Sequence, residues 1–134
     1  MVAFLNPPTV HAPGAAYSHS AVVPAGAELV FLSGQVGVRP DGSLPSSISA
    51  QADQVFANIG ALLAAHGLDA SALVKLTMFV VAGQDIQVVR TARAKFLGAH
   101  RPASTAVFVS QLVDPAWFLH GVDVVGRDAA QSHG

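Results

Sequence analysis

Cysteine is absent from the 134-residue chain, which excludes disulfide bonds, thiolate nucleophiles and cysteine-ligated metals. Charged residues are also scarce, at 11% against about 25% in an average globular protein. The seven basic residues are scattered singly and the net charge is −1, so no patch could neutralise several phosphates. We therefore expect no nucleic acid among the partners of this chain.

Long apolar runs and a basic N-terminus are missing as well. No run approaches the roughly 20 apolar residues that cross a bilayer, and no basic residue precedes the short apolar start. We expect no membrane partner and a soluble, cytoplasmic protein. The even composition predicts one domain over 1–134, with loose ends at about 1–13, where proline is frequent, and at 127–134, which is polar.

Apolar residues, at 51% of the chain, are abundant where charge is scarce. A chain of this size buries about two-thirds of its unfolded surface, so it can hold a core of its own. Too few charged residues remain to cover the surface of a monomer. We therefore expect part of the apolar surface to face another subunit, with identical subunits as the simplest arrangement.

Apolar periodicity predicts an α+β fold in the order β-β-α-β-α-β-β. A serine between positions 46 and 49 caps the first helix, which Gly67 follows, and Asp85 caps the second, which Gly98 ends. We expect both helices on one face of a mixed sheet, whose second apolar face needs another cover. The predicted strands are 21–23, 29–38, 73–81, 105–112 and 119–125, and the predicted helices are 47–66 and 86–97.

A polar triplet, Ser33-Gly34-Gln35, interrupts the second predicted strand before the turn at 40–42. Glycine inside a strand marks a bulge or a close approach of a ligand or another backbone, because it has no Cβ. The triplet is therefore a candidate wall of a binding site. A bulged edge strand without function is the alternative.

The six histidines show no spacing typical of a metal site. Each lies in a different predicted segment, so we expect no metal. His19 and His120 are the two that we expect nearest to a candidate cleft, and surface or helix-end positions are the alternative for both.

Several segments, taken in order, resemble the Rid (reactive intermediate deaminase) family, also called the YjgF/UK114 family. The resemblance covers roughly residues 14 to 126, and no one motif carries it alone. It implies a chorismate-mutase-like fold and a homotrimer with three ligand clefts between subunits. The segments that carry it are 16–21, 33–42, 51–58, 64–68, 74–80, 101–107 and 121–125.

The reaction that this resemblance implies is the hydrolysis of reactive enamines or imines, such as 2-iminobutanoate, to the 2-oxo acid and ammonia. It requires no metal or organic cofactor. It needs a cation for the substrate carboxylate, backbone donors around the reacting group, and an acid or base that positions water.

Ser104 is the main departure from the family pattern. Deaminating members carry an arginine there, two residues after the proline of the Pro-Ala motif, and serine lacks both the charge and the paired donors of a guanidinium. Arg93 and Arg101 are the candidates to replace it, and Arg90 is a third. Solvated surface positions are the alternative for each.

The other site residues follow the same resemblance. Tyr17 matches a tyrosine beside the ligand, and Ser33 with Gly34 matches the cleft wall. Ala106, next to Thr105, stands where the family uses a backbone N–H, which survives substitution. Asp123 matches, within one residue, the acid of the closing strand that is proposed to orient water. An acid between two valines is costly to bury unpaired, so pairing with a cation across a subunit interface is its alternative role.

Two functions therefore remain open. The first is an enzyme of the deaminase type with an altered substrate, in which Asp123 and Ser104 take part in catalysis and a relocated arginine anchors the carboxylate. The second is a non-enzymatic relative that binds a small carboxylate or carbonyl metabolite between subunits and has a regulatory or scavenging role.

Overall fold

The structure of the protein is a computed structural model that describes residues 2–127. Six strands and two long helices, with one short 3-10 turn before the fourth strand, make up this part of the chain. The strands are β1 (Ala3–Leu5), β2 (Ser20–Val22), β3 (Glu28–Gln35), β4 (Leu73–Val81), β5 (Ala103–Val109) and β6 (Leu119–Arg127), and the helices are α1 (Ile48–Ala65) and α2 (Ile86–Leu97).

Capping residues define the ends of both helices as predicted. The Ser47 side chain accepts a hydrogen bond from the N–H of Ala50 at the start of α1, and Asp85 accepts from Gln87 at the start of α2. Gly98 ends α2 at φ 59°, in the left-handed region where side chains are strained. The predicted helices are confirmed to within a residue at each end.

Four strands form the main sheet, in the order β3-β6-β4-β5. Strands β4 and β5 are parallel, and the other two pairings are antiparallel. A parallel pair needs a crossover connection, and α2 is that connection. The mixed α+β sheet expected from the sequence is confirmed.

A separate two-stranded ribbon differs from the expected order. Strand β2 forms within one residue of its predicted place but pairs with β1, a strand that the sequence pattern does not predict. Phe4 lies edge-on to the His100 ring at 5.1 Å, and Val2 packs where Gly126 leaves room for it. These two contacts hold the ribbon against the sheet.

Both helices cover the same face of the sheet, and the core lies between the helices and the sheet. Leu76, Met78 and Val80 point from β4 into this layer, and Val55 and Ile59 of α1 meet them. The arrangement with two helices on one face is therefore the observed one. It fixes which side chains of each strand are buried.

The opposite face of the sheet has no cover within residues 2–127. Phe31 is 73% exposed, and Leu29 and Val107, which share this face, are also exposed. Phe79 lies between them on the central strand and contacts the ring of His120 at 5.7 Å. This face is the apolar surface that the sequence analysis expects to be covered by another subunit.

The need for glycine at position 34 is explained by a side chain of the same subunit. A Cβ on Gly34 would lie 1.7 Å from Nε2 of His120, so only glycine leaves room for this ring. The pairing of β3 with β6 also shifts register between Leu32 and Gln35, which is the expected bulge. The predicted bulge is present, and the close approach comes from the His120 side chain rather than from a ligand or another backbone.

We predict that Gly34→Ala destabilises the protein by about 1 to 3 kcal/mol, because the His120 ring must leave its place against Phe79. Urea unfolding measures the loss. Gly14→Ala is the matched control, since no atom lies within 4 Å of a Cβ there. His120→Ala in the Gly34→Ala background should restore part of the loss, and its failure to do so would refute the steric explanation.

Candidate active site

A cavity of about 340 Å³ lies between β5, α2 and the segment before β2. Six residues singled out from the sequence as candidate site residues line it together, and Ala15 completes the wall. The lining residues are Ala15, Tyr17, Arg90, Arg93, Ser104, Thr105 and Ala106. The structure thus places Ser104, which stands where an arginine is expected, next to Arg93, a candidate to replace that arginine.

Chain connectivity explains why these residues meet. Helix α2 leads directly into β5, so its arginine-bearing face lies over the start of that strand. The Tyr17 segment is held there by Ser18, whose N–H donates to the carbonyl of Pro102 at 2.9 Å and whose hydroxyl donates to the carbonyl of Arg101. The tyrosine therefore closes the cavity from a third direction.

Arg93 is the most unusual residue of the cavity. Its side chain is only 4% exposed, and its Nε has no hydrogen-bond partner. Burial lowers the pKa of the guanidinium, and the charges of Arg90 and Arg101 lower it further. Within residues 2–127 the only ion pair joins Arg127 to Glu28, at 3.0 Å, so no acid of that range neutralises Arg93. A buried, unpaired cation is costly and favours the binding of an anion.

Ser104 and Thr105 face opposite sides of β5. The Ser104 hydroxyl is buried beside the helix layer and has no partner. Thr105 accepts a hydrogen bond from Nζ of Lys75 at 2.6 Å on the open face of the sheet. Burial lowers the pKa of Lys75, which has no acidic partner in the described part of the chain. Two unsatisfied polar groups, those of Ser104 and Arg93, therefore lie at the same cavity.

Arg101, the second candidate anchor, does not line the cavity. Its Nη1 donates to the carbonyls of Gly98 at 2.7 Å and His100 at 2.9 Å, at the C-terminal end of α2. After burial and the charge of Arg90, the charge of Arg101 is the smallest of the three causes that lower the pKa of Arg93. Arg90, which the sequence analysis ranks third, lines the cavity instead. Its spacing of three residues from Arg93 on one helix is the signal that places both on the same face.

Ser33 and Gly34, the predicted cleft wall, lie at the far edge of the sheet. Strand β3 is separated from β5 by β6 and β4, which puts the two edges about 14 Å apart at the usual strand spacing. A single subunit therefore does not bring this wall to Ser104. The predicted site is divided into two sets of residues at opposite edges of one sheet.

Asp123 lies between these edges, in the core. It pairs with Leu32 on one side and Leu76 on the other, and Leu76 pairs in turn with Ser104. The carboxyl is 1% exposed on the helix-covered face, and neither oxygen has a hydrogen-bond partner. It does not line the cavity. Burial raises its pKa to about 7.

The alternative role given to Asp123, an ion pair across a subunit interface, stays a prediction. The helix layer of its own subunit covers the carboxyl on this face of the sheet. Side chains alternate between the two faces along a strand. Asp123 therefore points to the helix-covered side with Val125, whereas the alternate positions of β6 point to the open face.

The described residues contain no group of three or more His, Asp or Glu side chains that could hold a metal ion. His19, one of the two histidines singled out from the sequence, is bound to the carbonyl of His11 and lies edge-on to Tyr17 at 5.7 Å. His120 faces Gly34 on the other edge. Among the helices of residues 2–127, none has the length and apolar character of a membrane span.

Known proteins match the chain over most of its length. The model of the family described as Endoribonuclease L-PSP matches residues 9–119. The 2-iminobutanoate/2-iminopropanoate deaminase of Escherichia coli (strain K12) is 34% identical over 88 residues, which are 63% of this chain and 69% of that protein.

Solved structures share the fold. YyfB of Yersinia pestis, a protein of the conserved Rid family, aligns with a TM-score of 0.81 at 23% identity over 92% of this chain and 97% of its own. Escherichia coli TdcF, solved with bound serine, aligns with a TM-score of 0.69 at 25% identity over 82% of this chain and 93% of its own. The structural similarity to YyfB confirms the α+β fold expected from the sequence.

We predict that stability depends on pH through Asp123. The unfolded carboxyl ionises near pH 3.8, whereas the folded one keeps its proton to about pH 7, so stability falls as pH rises between these values. The full loss is about 4 kcal/mol for a shift of this size, and about 2 to 3 kcal/mol of it falls between pH 5 and pH 7.5. Urea unfolding at fixed protein concentration, at pH 5 and pH 7.5, measures this second part.

Asp123→Asn removes the ionisable group and should flatten this slope. Asp53→Asn, which alters an exposed carboxylate on α1, is the matched control and should leave the slope as it is. An unchanged slope in Asp123→Asn would show that the carboxyl is not protonated in the folded protein.

Proposed function

Because the chain belongs to the Rid family, we propose that it hydrolyses small 2-imino or enamine carboxylic acids to the 2-oxo acid and ammonia. In this reaction water adds to the carbon of the C=N bond, the C–N bond breaks, and the nitrogen leaves as ammonia. The deaminase relative supports the reaction class, and the serine bound to TdcF supports a small carboxylate of amino-acid size.

The observation that carries this proposal is the buried Arg93 beside Ser104, with which no acid of residues 2–127 forms an ion pair. In deaminating Rid proteins an arginine of the strand anchors the substrate carboxylate, and here the strand offers serine. The guanidinium of Arg93 enters the same cavity from α2 and supplies the missing charge. Charge-assisted hydrogen bonds from a guanidinium to a carboxylate are about twice as strong as neutral ones.

The remaining groups of the cavity have supporting roles in this proposal. Tyr17 covers the ligand, the Ser104 hydroxyl donates to it, and the backbone N–H near Ala106 faces the reacting group. Fixed donors of this kind stabilise negative charge that develops as water adds. Thr105 is held by Lys75 from behind, which fixes the strand that carries these donors.

We propose further that the complete site forms between subunits of a homotrimer. The open face of the sheet is apolar, and the two sets of site residues lie at opposite edges of each subunit. A neighbouring copy that covers this face would bring its Ser33 and Gly34 to the cavity of the first. Trimer formation and a complete site would thus both require that a neighbouring subunit covers the open face of the sheet.

The role of Asp123 in orienting water stays a prediction, since the carboxyl is outside the cavity wall of one subunit. Turnover of Asp123→Asn on a folded preparation tests it. Lost turnover with normal unfolding behaviour would support the role, and normal turnover would remove Asp123 from the reaction.

Non-enzymatic binding is the second candidate function, and one observation favours it. None of the residues that line the cavity is an acid, so a group that activates water is absent from the wall of one subunit. A binding protein would hold 2-oxobutanoate in this cavity and show no hydrolysis of 2-iminobutanoate. Measured turnover would exclude this alternative.

We predict that Arg93→Gln lowers kcat/KM for 2-iminobutanoate, generated by an amino-acid oxidase, at least about 100-fold, because two charged hydrogen bonds to the carboxylate are lost. Arg93→Lys keeps the charge without the paired donors and should recover part of the activity. Arg39→Gln, an exposed arginine in the turn after β3, is the control for loss of one charge. Equal loss in Arg39→Gln, or none in Arg93→Gln, would contradict the anchor role.

We predict a native mass of three chains at micromolar concentration by light scattering. Phe31→Asp places a charge on the open face and should give smaller species, because burying an unpaired carboxylate is costly. Val22→Asp is the matched control, since Val22 is 61% exposed on the ribbon outside the main sheet. A monodisperse monomer of the unaltered protein would refute the trimer.

A further inference from the structure

The cavity carries more positive charge than one carboxylate can neutralise. Arg90 and Arg93 both line it, and Arg101 lies close enough for its charge to act on Arg93. Two of these residues are three positions apart on α2, where side chains are neighbours with about 5 to 6 Å between their Cβ atoms. Arg90 and Arg93 therefore form a pair of neighbouring cations on one wall of the cavity.

No acidic residue lines this cavity, and within residues 2–127 no acid forms an ion pair with any of the three arginines. Like charges at this spacing on a helix repel each other, and burial of Arg93 to 4% exposure adds to the cost. The unpartnered Nε of Arg93 is a second, independent sign of a ligand group that the protein alone does not supply. A ligand with one carboxylate would balance Arg93 and leave Arg90 unopposed.

We propose that the ligand of this cavity is a small dicarboxylate, so that the substrate is a 2-imino dicarboxylic acid and the product is the 2-oxo dicarboxylic acid. This inference rests on the proposed function and names its substrate class. The carboxylate next to the imine carbon binds Arg93, and the distal carboxylate binds Arg90. Water adds to the C=N carbon, ammonia leaves, and both carboxylates are retained in the product.

Two stable 2-oxo acids of equal chain length test the inference: 2-oxoglutarate carries a second carboxylate, and 2-oxopentanoate lacks it. Calorimetric titration of the native protein at one fixed ionic strength should show at least about tenfold tighter binding of 2-oxoglutarate, the gain expected for one added charged hydrogen bond. D-aspartate oxidase with D-aspartate supplies a 2-imino dicarboxylate for the parallel turnover measurement, which should exceed that with 2-iminobutanoate.

Substitution of Arg90 separates the two carboxylates. Arg90→Gln should abolish the preference for 2-oxoglutarate by weakening its binding more than that of 2-oxopentanoate, because the distal carboxylate loses its partner whereas the proximal carboxylate keeps Arg93. Arg90→Lys should retain part of the preference. Arg39→Gln removes the same charge away from the cavity and should leave both affinities unchanged, and thermal melting confirms that the exposed Arg90 position tolerates the changes.

The outcomes distinguish this inference from the proposed function. Equal affinity for the two acids, or an unchanged preference in Arg90→Gln, would overturn the dicarboxylate while turnover of 2-iminobutanoate still supports the proposed function. Absence of binding by both acids together with absence of turnover would overturn both. Inorganic phosphate is titrated as the third anion, and binding of phosphate alone would overturn the dicarboxylate in favour of a phosphate ligand.

Discussion

The parallel pairing of β4 with β5 is the constraint on which the candidate site depends. Parallel neighbours cannot be joined by a tight turn, so the chain must cross over the sheet, and α2 is the crossover. The helix must bury one face against the sheet, and Val89, Arg93 and Leu97 lie on that face. The guanidinium of Arg93 is therefore carried to the start of β5 by the same packing that holds the fold together.

In the proposed function, Arg93 replaces the strand arginine of deaminating Rid proteins. Ser104 on β5 and Arg93 on α2 line the same cavity. The charge would then enter this cavity from the helix rather than from the strand. A guanidinium on α2 has Arg90 as its neighbour on the same helix. In the proposed site, Arg90 is therefore the residue that would bind a second group of the ligand.

Much of the fold follows from local sequence signals, because caps and alternation act over a few residues. Ser47, Asp85 and Gly98 fix the helices, and the branched run 73–81 is a buried strand with the predicted bounds. The ribbon of β1 and β2 does not follow, since it depends on Phe4 meeting His100, a contact over most of the chain. Gly34 shows the same limit: its need for space is visible in the sequence, but the His120 ring that fills it is not.

The candidate site could be predicted only in part, because some of its positions follow from local motifs and others depend on contacts between distant segments. The Tyr17, Ser104 and Ala106 positions follow from motifs, and the cavity joins them. Which of three arginines enters the cavity depends on helix rotation, and a shift of two residues would have exchanged their faces. The face of Asp123 depends on strand register, since a one-residue slip moves a side chain to the other side of a sheet.

The buried position of Asp123 has an electrostatic consequence for the cavity. The carboxyl is two strand positions away from Ser104 across Leu76, and at pH values below about 7 it is neutral because burial raises its pKa to about that value. A neutral acid does not oppose the arginines, so the cavity keeps its full positive charge. Ionisation above that pH would add a negative charge on the same helix-covered face of the sheet and oppose an anionic ligand. The raised pKa of Asp123 and the excess of arginine at the cavity therefore favour the same state, in which the site is open to an anion below about pH 7.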